Sequence, residues 1–205
     1  MQYKWLNQEG NNKVIIFFNG WGMDEGAVKH LNCEDYDVLM FYDYNTLVTD
    51  FDFESLNIYP QKNLIAWSMG VMVASMSKWD PNCFAQAVAI NGTLKPVDEN
   101  FGIHPKIYDL TIKGFNEKGR GRFISSMFED KTEISCNRDI ENQHLELIAL
   151  KEYSSNLNFK YNKFLISDND KIIPTKSQVA FWGIEPNLKG GHCPFFKFSK
   201  WSELL

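Results

Sequence analysis

Long apolar runs are missing from this chain of 205 residues. None approaches the ~20 residues that a helix needs to cross a bilayer, so no membrane partner is expected. Met1-Gln2-Tyr3-Lys4-Trp5 has neither the apolar core nor the cleavage site of a secretory signal, which points to the cytoplasm. Cysteine is sparse and dispersed. Cys33, Cys83, Cys136 and Cys193 form no CxxC and stand at no ligand-like spacing from the four histidines. Reduced thiols are therefore expected rather than disulfides or zinc, and no metal site is expected. Positive charge is in deficit, the net value being −5, which argues against a general nucleic-acid binder and leaves room only for local basic patches. Internal repeats, low-complexity tracts and linkers are absent as well. At this length, and with 44% hydrophobic residues, the chain is expected to form a single domain, 1–205, with a substantial core.

What the sequence does have is alternation of apolar strands with helical patterns. Val14-Ile15-Ile16-Phe17-Phe18 is continuous and apolar, as a strand buried on both faces of a parallel sheet should be. Asp24 is placed to cap a helix running through Leu31. Further strands are read at Gln2 to Leu6, Asp37 to Tyr42, Asn63 to Trp67, Phe84 to Ile90 and Lys163 to Ser167, with helices at Met69 to Trp79 and Pro174 to Phe181. Pro186 to Lys189 reads as a last strand or its loop, and Phe195 to Leu205 as a closing helix. From about residue 93 to 161 the alternation lapses into short amphipathic pieces, expected to be an inserted helical cap. The fold class is thus α/β, a mostly parallel open sheet flanked by helices.

The chemistry gathers around Leu64-Ile65-Ala66-Trp67-Ser68-Met69-Gly70-Val71. A short apolar run ends in a serine between small residues and a helix follows at once, the pattern of a nucleophile elbow. Gly70 fits the usual G-x-S-x-G form, whereas Ala66 replaces its first glycine. Serine is a weak nucleophile unless a base lies within hydrogen-bonding reach and a carboxylate orients that base. In α/β-hydrolases the order is Ser, acid, His. His192, in Lys189-Gly190-Gly191-His192-Cys193-Pro194, has a permissive loop and the right place near the C-terminus. The other histidines fall before the elbow (His30) or in the inserted segment (His104, His144). For the acid, Asp170 and Asp168 both follow the strand at Phe164 to Ile166; the Asp-x-aliphatic-aliphatic-Pro pattern favours Asp170. Asp43 is a substitute acid, and Asp-Asn-Asp is also an ordinary turn sequence. Two backbone N–H groups are needed for an oxyanion: Met69 supplies one by position and Asn19-Gly20-Trp21-Gly22 the other, from Trp21. Trp21 and Trp67 serve equally well as packing residues. Asn91-Gly92-Thr93 matches a glycosylation sequon but lies beyond a strand, where substrate-facing loops occur.

On these residues the chain resembles an α/β-hydrolase throughout. More narrowly it resembles the compact BioG-type pimeloyl-acyl-carrier-protein methyl esterases of biotin synthesis. Phe18-Asn19-Gly20-Trp21-Gly22-Met23-Asp24, Tyr42-Asp43-Tyr44, Ala66 to Val71, Ala89 to Thr93, Pro96-Val97-Asp98, Gly102-Ile103 and Gly191-His192 carry that likeness. It implies hydrolysis of a methyl ester on a pimeloyl chain attached to acyl carrier protein, with Ser68 attacking, His192 as base and Asp170 orienting it, and with no metal or organic cofactor. Carrier proteins are acidic. Lys113, Lys118, Arg120 and Arg122, with Lys131 and Arg138 as additions, make a local basic excess able to steer such a partner. A solvated, flexible surface explains the same residues. Other serine hydrolases, namely a thioesterase or a short-chain carboxylesterase, use the same triad, and a non-catalytic hydrolase-fold binding protein is the alternative of a different class.

Overall fold

A computed structural model describes residues 1–77, 79–130 and 134–205. Its centre is a six-stranded sheet built from β1 (Gln2–Asn7), β2 (Lys13–Phe18), β3 (Tyr36–Tyr42), β4 (Gln61–Trp67), β5 (Gln86–Ile90) and β6 (Lys163–Leu165), in the order β1-β3-β2-β4-β5-β6. All neighbours are parallel except β1, which runs antiparallel to β3 at the edge. Successive residues of β2 and β4 go to opposite cores. Val14, Ile16, Phe18, Leu64 and Ala66 pack on one face, Ile15, Phe17, Ile65 and Trp67 on the other. Burial on both faces is why these strands are written as unbroken apolar runs.

The chain leaves the middle of the sheet in opposite directions, with β3 on one side of β2 and β4 on the other. The carboxyl ends of β2 and β4 therefore flank a topological switch point, where open α/β sheets bind ligands. Ser68 follows β4 directly, and the Asn19–Asp24 turn follows β2. Helix α1 (Met69–Met76) then packs on the face holding Phe18 and Ala66. Among the described residues three helices lie between β5 and β6, α2 (Pro105–Gly114), α3 (Glu117–Ser126) and α4 (Ile140–Glu152), and α5 (Thr175–Trp182) follows β6. Among the described residues no helix is long and apolar enough to cross a membrane.

Three helical expectations shrink. The segment from Asp24 to Leu31 forms only a single 3-10 turn, Glu25–Ala27, although Asp24 does cap it, accepting the Gly26 N–H at 2.9 Å. A Cβ on Gly26 would lie 1.8 Å from the Ser135 carbonyl oxygen, so this turn sits hard against the chain leading into α4. Helix α1 stops at Met76, short of Trp79. The closing segment forms two 3-10 turns, Phe195–Lys197 and Trp201–Leu204, because the backbone between them bonds elsewhere. Ser199 accepts from the Asn32 N–H at 2.8 Å and Trp201 donates to the Asn32 carbonyl at 3.1 Å. Leu188 makes only an isolated bridge to Ser167, continuing the line of β6.

Candidate active site

Ser68 stands at the tip of β4 with φ 58° and ψ −125°, a positive φ that residues with a Cβ rarely adopt. Its N–H donates to the Ile90 carbonyl at 2.9 Å, tying the turn to the next strand. Small neighbours make the turn possible. A Cβ on Gly70 would lie 2.4 Å from the Phe18 carbonyl oxygen and 2.5 Å from that of Asn19, and one on Gly92 would lie 2.5 Å from the Ser68 carbonyl oxygen. Ala66 is fully buried and its Cβ is accommodated in the core, so the missing first glycine costs the turn nothing visible.

His192 Nε2 is 2.8 Å from Ser68 Oγ, and its Nδ1 is 2.7 Å from Asp170 Oδ2. All three side chains are buried. Every other partner of the Asp170 carboxylate is a donor: the N–H groups of Ile172 at 2.8 Å and Ile173 at 3.1 Å, and the Gln178 amide at 2.8 Å. With an acceptor at Nδ1, that nitrogen carries the ring proton, and Nε2 is left to accept the Ser68 hydroxyl proton. Asp168 points elsewhere. It is paired with Lys189 Nζ at 2.7 Å, which holds its carboxyl below the usual range, and it accepts the Gly190 N–H at 2.9 Å.

The loop bearing the histidine is fixed by two residues whose part was not read from the sequence. Trp67 Nε1 donates to the His192 carbonyl at 3.0 Å, and Asn91 Nδ2 donates to the same carbonyl at 2.9 Å. Asn91 also bonds Ser167 on both sides of its amide, at 2.8 Å each. The supposed sequon is thus a buried bracket between β5, β6 and the histidine loop. Its position at the end of a strand was the available signal. Cys193, the next residue, is buried, and burial pushes its thiol up to about 12, which removes it as a thiolate nucleophile.

Ser68, Met69 and Trp21 line one cavity of about 460 Å³, within the size range of small-molecule sites. Ile103, Ile107, Phe115, Phe123 and Leu147 make its walls mostly apolar, with Arg122 and Lys171 as its charged lining. Met69 opens α1, so its N–H has no acceptor within the helix. Among the described residues the Trp21 N–H also has no acceptor. Ser68 and the two residues bearing these donors thus line one largely apolar space.

The Trp21 turn is gripped by α4. Trp21 Nε1 donates to the Gln143 carbonyl at 2.8 Å, while its ring meets Phe115 and Phe123. Glu146, fully buried, accepts the Gly22 N–H at 3.1 Å, the Tyr44 N–H at 2.8 Å and Arg138 Nη1 at 2.6 Å. Burial pushes its carboxyl above the usual range, and the Arg138 charge draws it back. Arg138 also pairs with Asp43 at 3.2 Å. Two expectations change accordingly. Arg138 is buried structure, its side chain only 7% exposed, not docking surface. Asp43 faces Arg138 and is no substitute acid.

Of the basic residues, Lys113, Lys118 and Arg122 are exposed. Arg120 is half-buried and donates to the Arg138 carbonyl at 3.2 Å and that of Cys136 at 3.5 Å. Lys131 lies outside the described residues. His104 caps α2 through the Lys106 N–H, His30 bonds the Phe195 carbonyl, and His144 stacks on Phe115. None of the three bonds Ser68.

A mostly parallel sheet with a serine on a strained turn at its switch point defines an α/β-hydrolase fold. Its likeness to solved structures agrees: MGS-M2, an alpha/beta hydrolase enzyme from a Medee basin deep-sea metagenome library, superposes with a TM-score of 0.63 at 14% identity, covering 96% of this chain and 88% of that one. Residues 1–204 match the family described as Pimeloyl-ACP methyl esterase BioG, and the chain belongs to that family. BioG from Haemophilus influenzae, solved by crystallography, is 31% identical with a TM-score of 0.89, over 100% of this chain and 99% of that one. A malonyl-[acyl-carrier protein] O-methyltransferase of Bacteroides fragilis is 37% identical over 180 residues, which are 83% of this chain. They are 36% of the methyltransferase, so the likeness spans about a third of that longer protein.

Proposed function

We propose that this chain is a serine esterase that removes the methyl ester from pimeloyl-acyl carrier protein, using Ser68, His192 and Asp170. The observation carrying the reading is the hydrogen-bonded line from Ser68 Oγ through His192 to Asp170, opening on an apolar cavity in a chain of the BioG family. Ser68 Oγ attacks the ester carbonyl carbon while its proton passes to His192 Nε2. The resulting oxyanion takes hydrogen bonds from the Trp21 and Met69 N–H groups. Collapse of the tetrahedral adduct breaks the bond to methoxide, which leaves as methanol with the proton from His192. Water then attacks the acyl-serine, His192 again taking and returning one proton, and the free pimeloyl carboxylate departs still attached to its carrier. No metal or organic cofactor enters these steps.

The apolar walls suit a methylene chain, and the three helices between β5 and β6, acting as a cap over Ser68, supply most of them. A relative named for methylating a carrier-bound acyl group, with a segment like this chain, fits an esterase that meets the same kind of carrier. The test is hydrolysis of pimeloyl-carrier methyl ester beside free methyl esters and acyl thioesters, with fluorophosphonate labelling of the protein. Cleavage of the carrier-linked methyl ester, and labelling lost in Ser68→Ala, are expected. Equal or better turnover of thioesters would make the chain a thioesterase, and absence of labelling would make it a binding protein.

A further inference from the structure

The Trp21 turn has nearly every polar backbone group engaged except the one the reaction needs. Gly20 N–H donates to Asn19 Oδ1 at 2.9 Å, and the Asn19 carbonyl accepts the Tyr44 hydroxyl at 2.8 Å. Gly22 offers its N–H to Glu146 and its carbonyl to Gln143 Nε2 at 2.7 Å, with Cys136 Sγ also on that carbonyl at 3.1 Å. Gln143 and Glu146 are three residues apart on α4, hence on one face of that helix, and both are buried. Gln143 grips residue 21 as well, through the indole bond to its own carbonyl. Gly22 has φ 72°, and a Cβ there would touch the Gln143 amide at 3.4 Å, so the turn and the helix face are fitted to each other.

Resting on the esterase reading above, we infer that Gln143 and Glu146 are positioning residues: they clamp residue 22 so that the Trp21 N–H is aimed at the oxyanion. Neither touches Ser68, His192 or Asp170 through any hydrogen bond among the described residues. They act through residue 22. The clamp also makes the oxyanion donor on β2's loop depend on a helix that lies between β5 and β6 in the chain, so the seating of α4 sets transition-state stabilisation.

The experiment uses the full chain with p-nitrophenyl acetate, comparing wild type, Glu146→Gln and Gln143→Met, with thermal melts to establish folding. Gln143→Met leaves the Glu146–Arg138 pair untouched and so stands if Glu146→Gln fails to fold. A small misplacement of a catalytic group costs up to about 100-fold in rate, so kcat is expected to fall about 10- to 100-fold with KM held within about twofold. A trifluoromethyl ketone, which forms a serine adduct bearing the same oxyanion, should bind more weakly by a matching factor. A folded Gln143→Met with kcat within about twofold of wild type, or with its loss confined to KM, overturns the clamp while leaving the esterase reading intact. A wild type no better than Ser68→Ala on this ester overturns that reading and the clamp with it.

Discussion

Two aspartates two residues apart have different surroundings, and that difference carries the first prediction. Asp170 is 6% exposed, bonded to the imidazole and to three further donors; Asp168 is exposed and faces Lys189. Asp170→Asn presents an amide that can hold Nδ1 as an acceptor or force the wrong tautomer as a donor, and related substitutions lower kcat about 10⁴-fold. A drop of that order is expected for Asp170→Asn, against a change within a few-fold for Asp168→Asn, in kcat for a small ester at neutral pH. The reverse ranking would reassign the acid. The acid's identity leaned on a five-residue pattern, and the serine and histidine were legible because short glycine-flanked motifs announce them. Gln143 and Glu146 were not, because their partners lie far along the chain and nothing in their neighbours marks them as buried; Asn91 offered only its place at a strand end, and Gln178 meets Asp170, eight residues before it, only once the turn between them folds back. A buried amide or carboxylate is defined by the donors it meets, and those come from other elements.

At the level of elements, strands were easier to read than helices. β2, β3, β4 and β5 are buried on both faces, so their apolar runs are unbroken, and a short run ending at a turn residue has few other readings. The helices fell short where tertiary bonds took over, as at Asn32, which captures the backbone of residues 199 and 201. The elbow shows how closely elements must approach. Gly70 sits where α1 meets the end of β2, and the obstacles to a Cβ are backbone oxygens, which cannot rotate away. Gly70→Ala is therefore expected to cost about 1–3 kcal/mol, as overpacked cores do. Because β2 leads straight into the Trp21 turn, activity should fall with it. Urea unfolding would give the first number and small-ester kinetics the second. A variant as stable and active as wild type would mean that β2 and α1 can separate freely.

For the molecule as a whole the question is how a chain of net charge −5 would receive an acidic carrier. Long-range attraction depends on where charge sits rather than on its sum, and the candidate patch is Lys113, Lys118, Arg120 and Arg122 around the join of α2 and α3. The structure divides these four. Arg120 is committed to two backbone carbonyls of the segment entering α4, and Arg122 lines the cavity itself, so altering either would disturb more than docking. Lys113 and Lys118 are exposed and outside the cavity lining. Lys113→Glu combined with Lys118→Glu should thus lower kcat/KM for the carrier-linked ester about tenfold at low ionic strength, within the range that electrostatic steering supplies. Small-ester turnover should stay within about twofold. The difference should shrink as salt rises from 0.01 M toward 1 M, since screening shortens from about 30 Å to about 3 Å over that range. Parallel kinetics on the two substrates across that series decide the matter. An equal loss on both, or a loss on the carrier-linked ester that salt leaves unchanged, would place carrier recognition elsewhere on the molecule.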